Sequence, residues 1–206
     1  MAMATAAAPL IAPIILASRS PRRRDLLTKL GVAFEVHSAD IDETEREGET
    51  PLTYVRRVAR GKAQAIAAKH PGRVVLAADT PVLVGRRILQ TPQTVEEARV
   101  MLKLQSNRRV HVPTAVVAID AKGVVREALV QSYIKLKPIT EAERDAYLES
   151  NLWEGCSGAI KGEVMEHWFV QMHGSRSGIL GLPLYETAKL LRASGVEIQP
   201  FESPRS

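Results

Sequence analysis

The residues best suited to chemistry lie in one run, Ser18-Arg19-Ser20-Pro21-Arg22-Arg23-Arg24. Serine before proline reads as a helix start: the hydroxyl caps the first turn, and proline sits where no N–H donor is needed. Arg22, Arg23 and Arg24 then fall in the first turn, where each cation opposes the helix dipole by about 0.3–1 kcal/mol. A sequence that breaks this rule three times running is expected to hold something anionic there. Free N–H groups, two serine hydroxyls and guanidinium forks suit a phosphate chain. The plainer alternative is a solvated basic patch or a localisation-type run.

Three further residues could complete such a site. Asp79 ends the apolar run Val74–Ala78 and precedes Thr80-Pro81. The end of a buried strand is where α/β sheets open onto ligands, although a strand-end Asx turn would explain the same residue. Glu43 stands in the acidic loop Asp40-Ile41-Asp42-Glu43-Thr44-Glu45, where solvation alone would account for it. Lys62 lies in a helix behind Arg60-Gly61, and most such lysines are surface residues. Each signal is weak by itself. Together, cations and hydroxyls for a polyphosphate with carboxylates for Mg²⁺ or water describe hydrolysis of a phosphoanhydride. Neither P-loop spacing nor a GxGxxG run is present.

These residues need a scaffold, and the periodicities supply one. Ile14–Ala17 reads as a buried first strand, since Pro9, Pro13 and the lack of basic residues before it argue against a secretory signal. A helix at Pro21–Leu30 closed by Gly31, a strand at Phe34–His37 and a helix opened by Thr50-Pro51 follow. Val74–Ala78 suits a strand covered on both faces. Thr94–Leu104 is helical, with Thr94 and Glu97 at capping-box spacing. Val110–Ile119 and Val124–Leu136 form a hairpin across Asp120-Ala121-Lys122-Gly123, and helices follow at Thr140–Ser150 and Leu182–Ala193. The segment from Asn151 to Gly178 reads as loop-rich. This pattern predicts an α/β protein: a mixed β-sheet flanked by helices, in a single domain of core about 14–199, with tails at 1–12 and 200–206.

Composition narrows the classes. The 206 residues are 45% apolar and 25% charged, which is globular rather than disordered. The net charge of +5 favours an anionic ligand. A single cysteine, Cys156, excludes a disulfide scaffold and a cysteine-based zinc site and points to a reducing compartment. Aromatics at 4% argue against a stacking surface for nucleic acid, and no apolar run spans a membrane. A nucleic-acid binder using Arg19–Arg24 would show affinity falling steeply with salt. The five histidines lack metal-ligand spacing, and Trp153 and Trp168 are expected in the core.

Leu16-Ala17-Ser18-Arg19-Ser20-Pro21-Arg22-Arg23, Asp40-Ile41-Asp42-Glu43, Gly61-Lys62-Ala63, Ala78-Asp79-Thr80 and Gly181-Leu182-Pro183-Leu184-Tyr185-Glu186 stand in the order of the Maf family of nucleotide pyrophosphatases. The chain resembles that family from about Ile14 to Val196. The resemblance implies a cytoplasmic hydrolase that cleaves nucleoside triphosphates to the monophosphate and pyrophosphate with a divalent cation, Mg²⁺ or Mn²⁺. It also implies the two-lobed fold shared with inosine triphosphatases, a central cleft and a homodimer. Substrates would be non-standard or pyrimidine nucleotides, the better-known branches acting on dTTP and UTP or on 7-methyl-GTP. Carried over, Asp79 and Glu43 would be the catalytic and metal-binding carboxylates. Ser18, Ser20, Arg22, Arg23 and Lys62 would hold the phosphates, with Arg22 and Thr80 also tuning the base.

The chain departs from the family pattern in the second half of the site. Thr91 and Cys156 stand where lysines are usual, and Lys161 stands where the family has a specificity glutamine. About two residues are missing between Gly158 and Ala159, and with them a tyrosine. Losing two phosphate-facing cations would cost about 1.5–3 kcal/mol each if both made charge-assisted bonds. Lys161 could return one charge. The alternative reading is therefore a nucleotide-binding Maf-like protein without efficient turnover.

Overall fold

The computed structural model describes residues 12–198. The tails expected at 1–12 and 200–206 lie outside the described residues, residue 12 excepted.

One eight-stranded mixed sheet organises the chain. Strands β1 (Ile14–Leu16), β2 (Phe34–Val36) and β3 (Val75–Asp79) run parallel, with β1 between the other two. β3 pairs antiparallel with the C-terminal half of β6 (Arg109–Ile119), setting Asp79 opposite Ala115. The N-terminal half of β6 meets β4 (Val82–Val84) at Leu83 and His111, and β4 turns back into β5 (Arg87–Leu89). Along its other edge β6 pairs throughout with β7 (Val125–Leu136), which carries β8 (Phe169–His173). β3 and β4 thus share one edge of β6, and the sheet forks where the chain passes between them at Thr80-Pro81.

The fork makes two lobes. In the first, α1 (Pro21–Thr28) and α6 (Leu184–Ala193) pack Leu26, Leu27 and Leu191 on Ile14, Leu16, Leu76 and Val116. On the opposite face α2 (Pro51–Ala67) packs Val55, Val58, Ala59 and Ala63 on Ile15, Val75, Ala77 and Val117. The alternation Ile14/Leu16 against Ile15/Ala17 feeds both faces, as a strand covered on two sides must. In the second lobe, α3 (Val95–Gln105) and α4 (Glu141–Glu149) enclose Val110, Val112, Ile134 and Leu136 with Trp153 and Trp168. Both tryptophans are buried, as expected, and each fully buried large apolar side chain stabilises by about 1.5–3 kcal/mol.

Several local expectations are corrected. α1 stops at Thr28, and Gly31, at φ 62°, makes the left-handed turn after it. Asp79 is the last residue of its strand rather than the first beyond it, and His37 falls just outside β2. The Thr94 hydroxyl caps α3 by accepting from Glu97 N–H at 3.2 Å, but the Glu97 carboxylate accepts from Gln93, so the reciprocal box is not closed. A full box forms at Thr140 and Glu143 of α4. The segment from 151 to 178 contains β8, and β4–β5 is a hairpin not foreseen. Both are short, and β8 is mostly exposed, so neither leaves an alternating apolar pattern. Among the described residues no helix is long and apolar enough to cross a membrane.

Candidate active site

A cleft of about 960 Å³ opens at the fork, within the size range of small-molecule sites. Ser18, Ser20, Arg22, Arg23, Glu43, Lys62, Asp79, Thr80 and Lys161 all line it, as do Thr91 and Cys156. Parallel pairing of β1 with β3 explains half of this convergence, because Ser18 and Asp79-Thr80 leave the carboxyl ends of adjacent strands.

The arginine-rich turn forms as its sequence dictates. The Ser20 hydroxyl accepts from Arg23 N–H at 3.4 Å, with Pro21 at the first helical position. Buried Ser18 accepts from Ser20 N–H at 3.2 Å and from Arg23 Nη1 at 3.3 Å. Arg23 also donates from Nε to the Gly181 carbonyl at 2.9 Å and from Nη2 to Thr80 Oγ1 at 3.2 Å. Each guanidinium nitrogen is thereby engaged, and the plane of the fork is set before any ligand arrives. Burial pushes the Arg23 guanidinium below the usual arginine value, while the Asp79 charge opposes that shift. Arg22 is held more loosely: Nη1 donates to Cys156 Sγ at 3.4 Å and lies 3.9 Å from Glu163 Oε2. Arg24 is exposed and is not among the lining residues.

Beside this turn, Lys62 joins the two candidate carboxylates. Its Nζ donates to Asp79 Oδ1 at 2.8 Å and to Glu43 Oε2 at 2.7 Å. Side-chain exposure is 12% for Lys62 and for Asp79 but 46% for Glu43, so the cluster runs from buried to wet. Lys62 borders the apolar stripe of α2, between Val58, Ala59 and Ala63, and is carried inward with it. The Glu43 loop is pinned from behind. Arg57 Nη2 donates to the Thr44 carbonyl at 2.9 Å, and the same guanidinium grips Glu49 with two bonds of 2.7 Å.

The donor set can be tested against a divalent cation. Among the described residues no group of three or more His, Cys, Asp or Glu could hold a metal ion. Mg²⁺, however, takes one or two carboxylates and completes its shell with water and substrate phosphate oxygens. Asp79 and Glu43 meet that requirement, and the Lys62 ammonium against both demonstrates that the space between them accepts positive charge.

The remaining wall is the segment from Glu154 to Glu163. Gly158 and Ala159 both have left-handed backbone, at φ 63° and 60°. A Cβ at Gly158 would come within 2.8 Å of Val82 Cγ1, so the conformation and the close approach both require glycine there. Gln105 Nε2 donates to the Gly158 carbonyl at 2.7 Å. Tyr147 of α4 donates to the Ala159 carbonyl at 3.0 Å and accepts from Lys161 N–H at 3.2 Å.

Sequence reasoning missed four participants: Thr114, the Gly181 carbonyl, Glu163 and Tyr147. Thr114 alone left a trace, as the one hydroxyl inside the apolar run of β6. The others depend on contacts between distant segments. A second hollow of about 640 Å³ behind the Glu43 loop is rich in arginine, but Arg56 and Arg60 already share Glu127 and Arg57 is bound to Glu49.

The family described as Maf-like protein matches residues 13–194. A dTTP/UTP pyrophosphatase of Novosphingobium aromaticivorans is 43% identical over 189 residues, covering 90% of this chain and 94% of its own. A protein of the same name from Anaeromyxobacter dehalogenans is 43% identical over 195 residues, covering 93% and 98%. A solved HAM1 protein from Coxiella burnetii covers 88% of this chain and 98% of its own, at 16% identity and a TM-score of 0.43, too distant to bear on the site. With the matched segment running from the first strand to the last helix and enclosing every residue of the cleft, the chain belongs to the Maf-like protein family.

Proposed function

We propose that this protein is a nucleoside triphosphate pyrophosphatase, hydrolysing pyrimidine nucleotides such as dTTP and UTP to the monophosphate and pyrophosphate. The observation that carries the reading is the meeting in one cleft of a cationic turn and the Glu43–Lys62–Asp79 cluster. Similarity to relatives named dTTP/UTP pyrophosphatase supports the substrate class.

Arg22 and Arg23 hold the polyphosphate, with N–H groups at the start of α1 and the Ser18 and Ser20 hydroxyls beside them. A carboxylate oxygen of Asp79, with Glu43 assisting, orients a water and takes its proton as the water oxygen bonds to the α-phosphorus. The bond from that phosphorus to the bridging oxygen breaks, and pyrophosphate leaves with the electron pair. Charge grows on the departing oxygens, so fixed cations stabilise the transition state more than the ground state. Lys62 offsets part of the charge of both carboxylates before substrate enters and is placed in the same cleft to meet a phosphate afterwards. Asp79 and Glu43 would hold a divalent cation, Mg²⁺ or Mn²⁺, which when bound would lower the pKa of water and screen phosphate charge. The family and the single cysteine support a cytoplasmic setting.

The test is pyrophosphate release over a panel of standard and modified triphosphates with Mg²⁺ and Mn²⁺, with Asp79→Asn beside the wild type. Turnover is expected to fall by about 10²–10⁴-fold in the variant, the usual contribution of a general base, with Tm preserved. Full activity in Asp79→Asn would remove that residue from the mechanism. Nucleotide binding without turnover in the wild type would favour the binding protein, with Thr91 and Cys156 as the lost cations.

A further inference from the structure

One face of β6 carries Val110, Val112, Thr114, Val116 and Ala118 in alternate positions. Val110 and Val112 belong to the core of one lobe, Val116 and Ala118 to the core of the other. Thr114 stands between them at the fork of the sheet and is wholly buried. A valine would continue the stripe with nearly the same shape, so the hydroxyl needs a reason of its own.

Its hydrogen-bond partners tie the fork together. The Thr114 hydroxyl faces two acceptors, the Gly178 carbonyl at 2.8 Å and Thr80 Oγ1 at 3.1 Å. Thr80 Oγ1 also accepts from Arg23 Nη2 at 3.2 Å, and its own hydrogen points to the Gly181 carbonyl at 3.5 Å. Thr80 is thus held between Thr114 and Arg23 in one hydrogen-bonded chain, and the Gly181 carbonyl takes its shorter bond, 2.9 Å, from Arg23 Nε. With three of its five N–H groups engaged on three sides, Arg23 keeps the other two for a ligand.

We infer that Thr114 is a positioning residue for Arg23, acting through the Thr80 hydroxyl to aim the guanidinium at the polyphosphate. Without the Thr114 hydroxyl, Thr80 Oγ1 loses the contact that holds it in place to accept from Arg23 Nη2. The inference rests on the site reading above, in which Arg23 holds phosphate.

The test compares kcat/KM for UTP with Mg²⁺ in Thr114→Val, Thr114→Ser and each change in an Arg23→Lys background. Thr114→Val is expected to lower kcat/KM about tenfold, the scale of one hydrogen bond to a charged group. Serine should restore it to within about threefold, since it keeps the oxygen. With lysine at 23 the valine change should add less than about twofold, because a residue acting through Arg23 has nothing left to position. A purely structural stitch would lower Tm and act equally in both backgrounds, and that result overturns the inference. Unchanged kcat/KM in Thr114→Val overturns it too. Should Thr114→Val fail to fold, Thr80→Val, which cuts the same chain one link nearer the arginine, must reproduce the loss and its dependence on Arg23. Failure of the site reading looks different: the wild type itself is silent, or Asp79→Asn keeps full activity. In the silent case the series is read as Kd for UTP by titration, where Thr114→Val should bind about tenfold weaker than wild type.

Discussion

The two walls of the cleft are built on different terms. On the wall formed by the ends of β1 and β3, nearly every polar group is committed: Arg23 to three acceptors, Lys62 to two carboxylates, Thr80 and Ser18 to their neighbours. On the wall from Glu154 to Glu163 the backbone is anchored, through Gln105 and Tyr147, while the cleft-facing groups are sparsely partnered. Arg22 bridges the two by its 3.4 Å contact with the Cys156 sulfur and a longer one to Glu163. On the function proposed above, the first wall would be preorganised for charge that develops in the reaction, and such preorganisation costs no rearrangement at the moment of transfer. The second is a rigid frame carrying replaceable side chains, which suits the part of a substrate that varies. Cys156 and Lys161, where the resemblance implied a lysine and a glutamine, both stand on that second wall.

The sharpest way to break this contrast is Lys62→Met. It leaves the buried Asp79 carboxylate without its cation and removes a charge from the reacting centre. Activity measured as kcat/KM should fall by about 10²–10³-fold. A loss below tenfold would mean that the committed wall tolerates disorder as well as the other does.

A smaller effect is expected from Tyr147→Phe, which strips the frame of the second wall without touching the first. The Ala159 carbonyl and Lys161 N–H both lose their partner, at about 1–3 kcal/mol. That corresponds to a fall of about 2–4 °C in Tm for each kcal/mol. KM should rise severalfold while kcat stays within about twofold. A matching drop in kcat would show that the two walls are not separable.

The smallest effect concerns acid. Lys137, with help from Thr140, holds the Glu143 carboxyl down at about 2, against an ordinary value of 4.5. A carboxyl depressed in the folded state contributes stability that is present above about pH 4.5 and is lost as pH falls towards 2. Glu143 caps α4, the helix that carries Tyr147, so the second wall should loosen first in this window. Glu143→Gln should flatten the Tm profile between these pH values, the difference being small because the side chain is more than a third exposed and screened by solvent. Melting followed at Trp153, which packs beside α4, checks it. An unchanged profile would detach the cap from the stability of that wall.

Much of the first wall was legible in the sequence because its causes are local. Ser20-Pro21 sets a helix start through its own hydroxyl and ring, and three arginines against the dipole announce an anion. Asp79 at the end of an apolar run announces the mouth of a sheet. The family motifs then placed Glu43, Lys62 and Thr80 in the same site, and the cleft contains all of them. What tertiary structure alone decided is which groups meet. That the Lys62 ammonium pairs with Asp79 and Glu43 is decided by the packing of α2 and not by any motif. Thr114 read as a strand residue until the pairing of Asp79 with Ala115 put it beside Thr80. The Gly181 carbonyl, 158 residues from Arg23, carries no side-chain signal at all. Caps, turns and strand periodicity are set within a few residues, whereas sheet register and helix docking bring together atoms that no local pattern can pair.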